Sequence, residues 1–140
     1  MQRGGWAVGL VLGLFGCATE PVARTSKAEL SAMRSFYVVR PADETRGIDG
    51  VIVRELDLLG LSAVSGAAEA KPAGVEAEVR YVARWVDGNL FKLEIEIRPL
   101  TTAGPAVRAE SYLQRKQASG MVQELLAILL PPRTLTEAKP

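Results

Sequence analysis

Two adjoining runs of alternating residues constrain this chain more than any other feature. From 75 to 86 the odd positions are Val75, Ala77, Val79, Tyr81, Ala83 and Trp85, and Glu76, Glu78, Arg80 and Arg84 fall between them. From 90 to 99 the odd positions include Phe91, Leu93, Ile95 and Ile97, and the even ones are Lys92, Glu94, Glu96 and Arg98. Successive side chains of a strand point to opposite faces of a sheet, so each run reads as a strand with one core face and one wet face. The spacing predicts a hairpin, and two connections compete for it. Asp87-Gly88 suits a two-residue type I′ turn. That turn sets Val86 opposite Asn89 and Ala83 opposite Lys92, which mixes the faces. A three-residue loop of Asp87, Gly88 and Asn89 sets Val86 by Leu90, Trp85 by Phe91, Ala83 by Leu93 and Tyr81 by Ile95. On the wet face it brings Arg80 to Glu96 and Glu78 to Arg98. Register follows the buried face, so the three-residue loop is expected, with Asn89 in the left-handed region that Asn tolerates.

The remaining elements follow from shorter patterns. Ser35-Phe36-Tyr37-Val38-Val39 is aromatic and β-branched and stops before Pro41, as a short strand does. Residues 42–46 form a polar turn. A helix over 47–59 carries Ile48, Ile52, Leu56 and Leu59 on one stripe, with Gly60 placed as its C-terminal cap. Residues 61–64 suggest a short strand, 65–74 a Gly/Ala/Pro-containing loop, and 107–111 a third alternating strand after Gly104-Pro105. A helix over 120–130 has Ser119 as its expected N-cap. Met121, Leu125, Ile128 and Leu129 line one side of it, Val122 and Leu126 widen the stripe, and Pro131-Pro132 ends it. This order implies an α+β two-layer sandwich: a mainly antiparallel sheet of four or five strands with two helices packed on its apolar face. One domain is expected over 34–131, with a flexible tail over 132–140.

The first residues have a different character. Met1-Gln2-Arg3 gives a short positive start, and the run from Gly4 to Phe15 carries no charge. A spanning helix needs roughly 20 apolar residues. This run is shorter and has the length and charge order of a signal-peptide core, so 1–16 reads as a signal peptide. Leu14-Phe15-Gly16-Cys17 resembles the lipobox of bacterial lipoproteins. It has Leu three before the Cys and a small residue just ahead of it, although Phe15 stands where the family usually has a small or β-branched residue. The resemblance implies cleavage before Cys17, a diacylglycerol on its sulfur and commonly an acyl group (palmitate, for example) on the freed amine. Two chains anchor stably where one is marginal. Ala18 follows where an Asp favours inner-membrane retention in that family, which implies the periplasmic face of the outer membrane. Residues 17–33 then read as the lipidated N-terminus and tether.

A second resemblance rests on Val79-Arg80-Tyr81, Trp85, Leu93-Glu94-Ile95, Ser111-Tyr112, Arg115 and Met121-Val122 before the final helix. Together these look like a group of small periplasmic lipoproteins of unknown function, and they imply a fold and a location without an activity. The lipoprotein of lipopolysaccharide export has a comparable helix and sheet layout. Its mature start, Cys-Gly-Phe, is not matched by Cys17-Ala18-Thr19, so that function is not carried over.

Composition narrows the chemistry. The chain holds 17 Lys plus Arg and 16 Asp plus Glu, and Arg3 lies in the leader, so the remainder is balanced. No basic excess exists to bind a phosphate backbone, and no nucleic-acid partner is expected. Histidine is absent and Cys17 is the only cysteine. An intrachain disulfide, a Cys/His zinc cluster and a Ser-His-Asp triad are therefore excluded. Glu76, Glu78, Glu94 and Glu96 could pair as catalytic acids or a calcium site. The plainer expectation is a solvated face with ion pairs to Arg80, Arg84, Lys92 and Arg98. Tyr81, Trp85 and Phe91 could stack on a ring, but they share the parity of the core face and are expected inside. Glu55 lies among the apolar positions of its helix and could be a buried, perturbed acid; the plainer expectation is the rim of the stripe, since burying an unpaired carboxylate is costly. No catalytic residue, cofactor site or metal site is expected, and Cys17 is the one modification site. The chain thus reads as a lipid-anchored envelope protein, a non-enzymatic adaptor or assembly accessory with a protein partner and with the membrane as its anchor. The alternative is a lipoprotein holding a small apolar or lipid ligand between helices and sheet.

Overall fold

A computed structural model describes residues 29–102, 104–112 and 117–130. The expected signal peptide, Cys17, most of the expected tether, Arg115 and the expected tail lie outside the described residues. Five strands and two main helices follow in the order β1 (Ser35–Val39), α1 (Ile48–Leu58), β2 (Ser62–Gly66), β3 (Ala77–Val86), β4 (Asn89–Pro99), β5 (Val107–Tyr112) and α2 (Ala118–Leu129). The sheet order is β2-β1-β3-β4-β5. The fold is the α+β sandwich that the pattern implies, with a mixed sheet. β3, β4 and β5 are antiparallel, whereas β1 pairs in parallel with both β2 and β3. A parallel pair needs a crossover; α1 supplies it from β1 to β2 and packs over both strands, while α2 packs over β4 and β5 and touches α1.

The core lies between this helical layer and one face of the sheet. Phe36 and Val38 of β1, Val79 and Tyr81 of β3, and Leu93, Ile95 and Ile97 of β4 meet Ile52 and Leu56 of α1 and Met121, Leu125 and Leu126 of α2. Leu30 and Met33 join them, and residues 29–32 are helical, so the folded part begins earlier than the expected boundary at 34.

Several local expectations are corrected. Leu59 is the C-cap of α1 and 45% exposed, so it leaves the apolar stripe. The Gly60 N–H donates to the Asp57 carbonyl at 2.9 Å and the Leu61 N–H to that of Leu56 at 3.1 Å. This is a Schellman cap, with Gly60 at φ +81°. It turns the chain so that Leu61, rather than Leu59, enters the core. α2 starts at Ala118 with Gln117 as N-cap, not at Gly120 with Ser119, and no side chain caps it. Ile128 faces outward at 49% exposure, because the helix presents Met121, Val122, Leu125, Leu126 and Leu129 inward.

The hairpin resolves the competition between turn and register in an unforeseen way. Asp87 and Gly88 both have positive φ, +50° and +79°, and Val86 pairs with Asn89: this is the two-residue turn. Yet Ala83 faces Leu93, Tyr81 faces Ile95, Arg80 faces Glu96 and Glu78 faces Arg98, as the buried face demands. A β-bulge reconciles the two. Trp85 pairs with Leu90 and Arg84 with Lys92, leaving Phe91 as the extra residue. Leu90 takes the core position that Phe91 was expected to hold. The Phe91 ring stands on the other face, edge to face with Tyr112 at 6.2 Å.

The outer face is not uniformly wet. Tyr37 and Val39 point to it from β1 and are buried. The loop from β2 to β3 must pass β1, and it crosses this face with a short 3₁₀ turn at Ala68–Ala70. The Tyr37 hydroxyl donates to the Ala67 carbonyl at 2.6 Å, and Lys71 Nζ reaches Glu78 Oε2 at 3.0 Å.

Candidate functional site

The loop over residues 40–47, between β1 and α1, lies beside β3 where β3 runs on past its parallel partner. β1 pairs only with residues 77–79 of β3, so residues 80–86 extend beyond it. A cleft of 390 Å³ opens there, lined by Pro41, Asp43, Glu44, Thr45 and Arg46 from the loop and by Tyr81, Val82, Ala83 and Trp85 from β3. Clefts at the carboxyl ends of parallel strands are a recurrent ligand position in α/β sheets.

Three side chains shape it. The Tyr81 hydroxyl donates to Glu44 Oε2 at 3.1 Å. Burial, and next the charge of Glu44, push the Tyr81 phenol well above its usual range, so it remains a neutral donor. The other oxygen of Glu44 accepts the Arg46 N–H at 2.5 Å and closes the loop on itself. The Arg46 guanidinium lies over the Trp85 ring, 4.3 Å from its centre, and donates to the Gly88 carbonyl of the hairpin turn at 3.2 Å. Below the loop, Arg40 Nε meets the buried Asp49 at 2.7 Å in the first turn of α1. Burial alone would raise the Asp49 carboxyl, but hydrogen bonds from Arg40 and Ser65 more than offset it and hold it low.

The expected site residues are scattered. Glu76 accepts from Ser35 Oγ and the Arg34 N–H, both at 3.2 Å, and so fixes the start of β1. Glu78 is only 6% exposed and pairs with Lys71 and Arg80. Burial by the crossing loop would raise its carboxyl, and those two cations more than offset it. Glu94 and Glu96 share Arg108, a cross-strand partner from β5 that the hairpin pattern alone did not supply, and Glu96 also meets Arg98. Lys92 pairs with Glu110 instead. Tyr81 is in the core as expected, Trp85 is half-buried at the cleft, and Phe91 is outside. Glu55 is 7% exposed, deeper than the rim position expected of it. Among the described residues, no fully enclosed side-chain polar atom lacks a hydrogen bond. Nor does any group of three acids stand close enough to hold a metal, and no helix is long and apolar enough to cross a membrane.

Glu44 and Arg46 carry the cleft and were missed. They read as a polar turn because nothing local distinguishes them; only the parallel pairing of β1 with β3 sets that turn against Trp85. A second feature is the sheet edge. Among the described residues no strand pairs with the outer side of β5 or of β2. β5 is the longer edge, and Tyr112 stands half exposed at its end. Compared with family models, curated proteins and solved structures, the chain matches none of them.

Proposed function

We propose that this chain is a lipid-anchored adaptor of the bacterial cell envelope, held through Cys17 at the periplasmic face of the outer membrane, which docks a protein partner on the open edge of β5. The observation that carries the reading is a filled core beside an edge that, among the described residues, no strand pairs with. Phe36, Ile52, Leu56, Leu93, Ile95, Leu125 and Leu126 occupy the space between helices and sheet and are essentially inaccessible. That packing disfavours the alternative of an apolar ligand held there. An uncovered edge presents a row of backbone donors and acceptors that another chain's strand can complete. Two acyl chains would hold the domain at the membrane and raise the local concentration that the partner meets.

The test is made in intact cells with the full chain. Tyr112 is replaced by photoreactive p-benzoylphenylalanine, and a control chain carries it at Leu58, which is exposed on α1. One discrete protein adduct from position 112, absent from position 58 and lost in Cys17→Ser along with fatty-acid labelling, is the expected result. Retained labelling and membrane association in Cys17→Ser would overturn the anchor. Equal adducts from both positions, or none, would overturn the edge.

A further inference from the structure

We propose that the cleft between the 41–46 loop and β3 receives an arginine side chain of a partner protein, which takes the place of Arg46 on the Trp85 indole. The first ground is that the cleft already holds a guanidinium. Arg46 lies 4.3 Å from the Trp85 ring centre, so the cleft already presents an aromatic face to a guanidinium. The second is charge. Apart from Arg46, the ionised residues of the lining are Asp43 and Glu44, both acidic. Once Arg46 leaves, the lining keeps two acidic residues and no cation. The third is the weak hold on Arg46. Its side chain is exposed, its one hydrogen bond in the cleft is the 3.2 Å contact to the Gly88 carbonyl, and the next residue, Gly47, turns the backbone at φ +75°.

The acceptor of the cleft is, by contrast, fixed. Glu44 is held by the Tyr81 hydroxyl and by the Arg46 backbone N–H, and neither bond uses the Arg46 side chain. A carboxylate accepts about four hydrogen bonds, so Glu44 retains capacity for an incoming N–H. A flat guanidinium stacks on an indole and donates in its own plane at once, which an ammonium cannot do. The geometry therefore favours arginine over lysine. Two carboxylates repel an anionic ligand. The proposal rests on the adaptor reading only in taking the ligand to be a protein; it does not use the β5 edge or the lipid.

Two tryptophans occur in the sequence, Trp6 and Trp85. In detergent, the full chain carrying Trp6→Phe reports on Trp85 alone. Acetyl-Gly-Arg-Gly-amide is titrated against its emission, with the lysine and glutamate analogues as comparisons. The expected result is a saturable response to the arginine peptide, a weaker one to lysine and none to glutamate. Arg46→Ala removes the internal competitor, so it should bind the arginine peptide about 2- to 5-fold tighter, the equivalent of an exposed cation–π contact of roughly 0.5–1 kcal/mol. Asp43→Asn, on the exposed part of the loop, should weaken binding. Urea midpoints of both variants check that the fold is intact. Unchanged or weaker binding in Arg46→Ala, or an equal response to the glutamate peptide, would overturn the proposal. So would a response to phosphatidylethanolamine vesicles with none to the arginine peptide. Failure here leaves the position 112 adduct as it was, and loss of that adduct leaves this titration as it was.

Discussion

Gly66 and Tyr37 form a coupled pair whose energetics can be worked out from one distance. Gly66 ends β2, and Tyr37 lies beside it on the outer face of β1, with its hydroxyl bound to the Ala67 carbonyl. A Cβ on Gly66 would stand 2.5 Å from the Tyr37 Oη, while the next atom, the ring Cζ, is 3.5 Å away. The first distance is a clash and the second an ordinary contact. Tyr37 is 3% exposed and its hydroxyl is pinned, so the ring has nowhere to retreat. Overpacking of this kind costs about 1–3 kcal/mol. Gly66 does not have positive φ, so Gly66→Ala also gains roughly 0.4–1 kcal/mol by restricting the unfolded chain. The net expectation is a loss of about 1–2 kcal/mol. Tyr37→Phe alone should lose about 0.5–1.5 kcal/mol with its hydrogen bond. In the Tyr37→Phe background the clashing atom is gone, and Gly66→Ala should be neutral or slightly stabilising. The double variant is then more stable than the sum of the singles by the clash itself, about 1–3 kcal/mol. Urea unfolding of the four proteins, followed by far-ultraviolet circular dichroism, measures this cycle. An equal loss from Gly66→Ala in both backgrounds would refute the reasoning.

Two further outcomes follow from caps and charges. Gly50→Ala in α1 meets nothing within 4 Å and should stabilise by roughly 0.5–1 kcal/mol, whereas Gly60→Ala, at φ +81°, should destabilise by roughly 1–2 kcal/mol. Thermal melts that move in the same direction for both would contradict the Schellman assignment. Asp49, Glu78 and Glu96 are all held below their ordinary values of 3.8, 4.5 and 4.5. Depressed folded-state values mean that the stability they contribute is fully present above those ordinary values and is lost as the pH falls through the lowered ones. The urea midpoint should therefore be level from pH 7 to about 5 and drop below pH 4, with a shallower drop in Glu78→Gln. A midpoint that stays level to pH 2.5 would show that these pairs contribute nothing.

How much of this was legible follows from the range over which each signal acts. The alternation of 75–99 gave the two long strands and the register of their buried face, because period and parity are local properties of the chain. The stripes of α1 and α2 were local in the same way, with errors at Leu59, Ser119 and Ile128 where only the final residues of a helix decide. Strand order was not legible. No residue in 35–39 marks β1 as a parallel neighbour of β3, and that pairing alone sends the 65–76 segment across the outer face and buries Tyr37 and Glu78. The cleft was lost for the same reason. Trp85 and Tyr81 were assigned to the core by parity, which holds for Tyr81; the open side of Trp85 exists because β3 outruns β1.

The bulge at Phe91 connects these levels. The Asp87-Gly88 turn is favoured locally and the Ala83–Leu93 register by burial, and one strand must carry an extra residue if both are kept. Placing that residue at Phe91 has two consequences. The Phe91 ring leaves Trp85 for the outer face, where it meets Tyr112 at the end of β5. Leu90, a smaller side chain, takes the place opposite Trp85, and the short turn brings the Gly88 carbonyl within 3.2 Å of Arg46. A three-residue loop without a bulge would have put Phe91 directly beside Trp85 on the core face. The same irregularity thus supplies an exposed aromatic beside the β5 edge and the hairpin acceptor that holds Arg46 over the indole. One unpaired residue in β4 thus decides which ring stands beside Tyr112 and which side chain stands opposite Trp85.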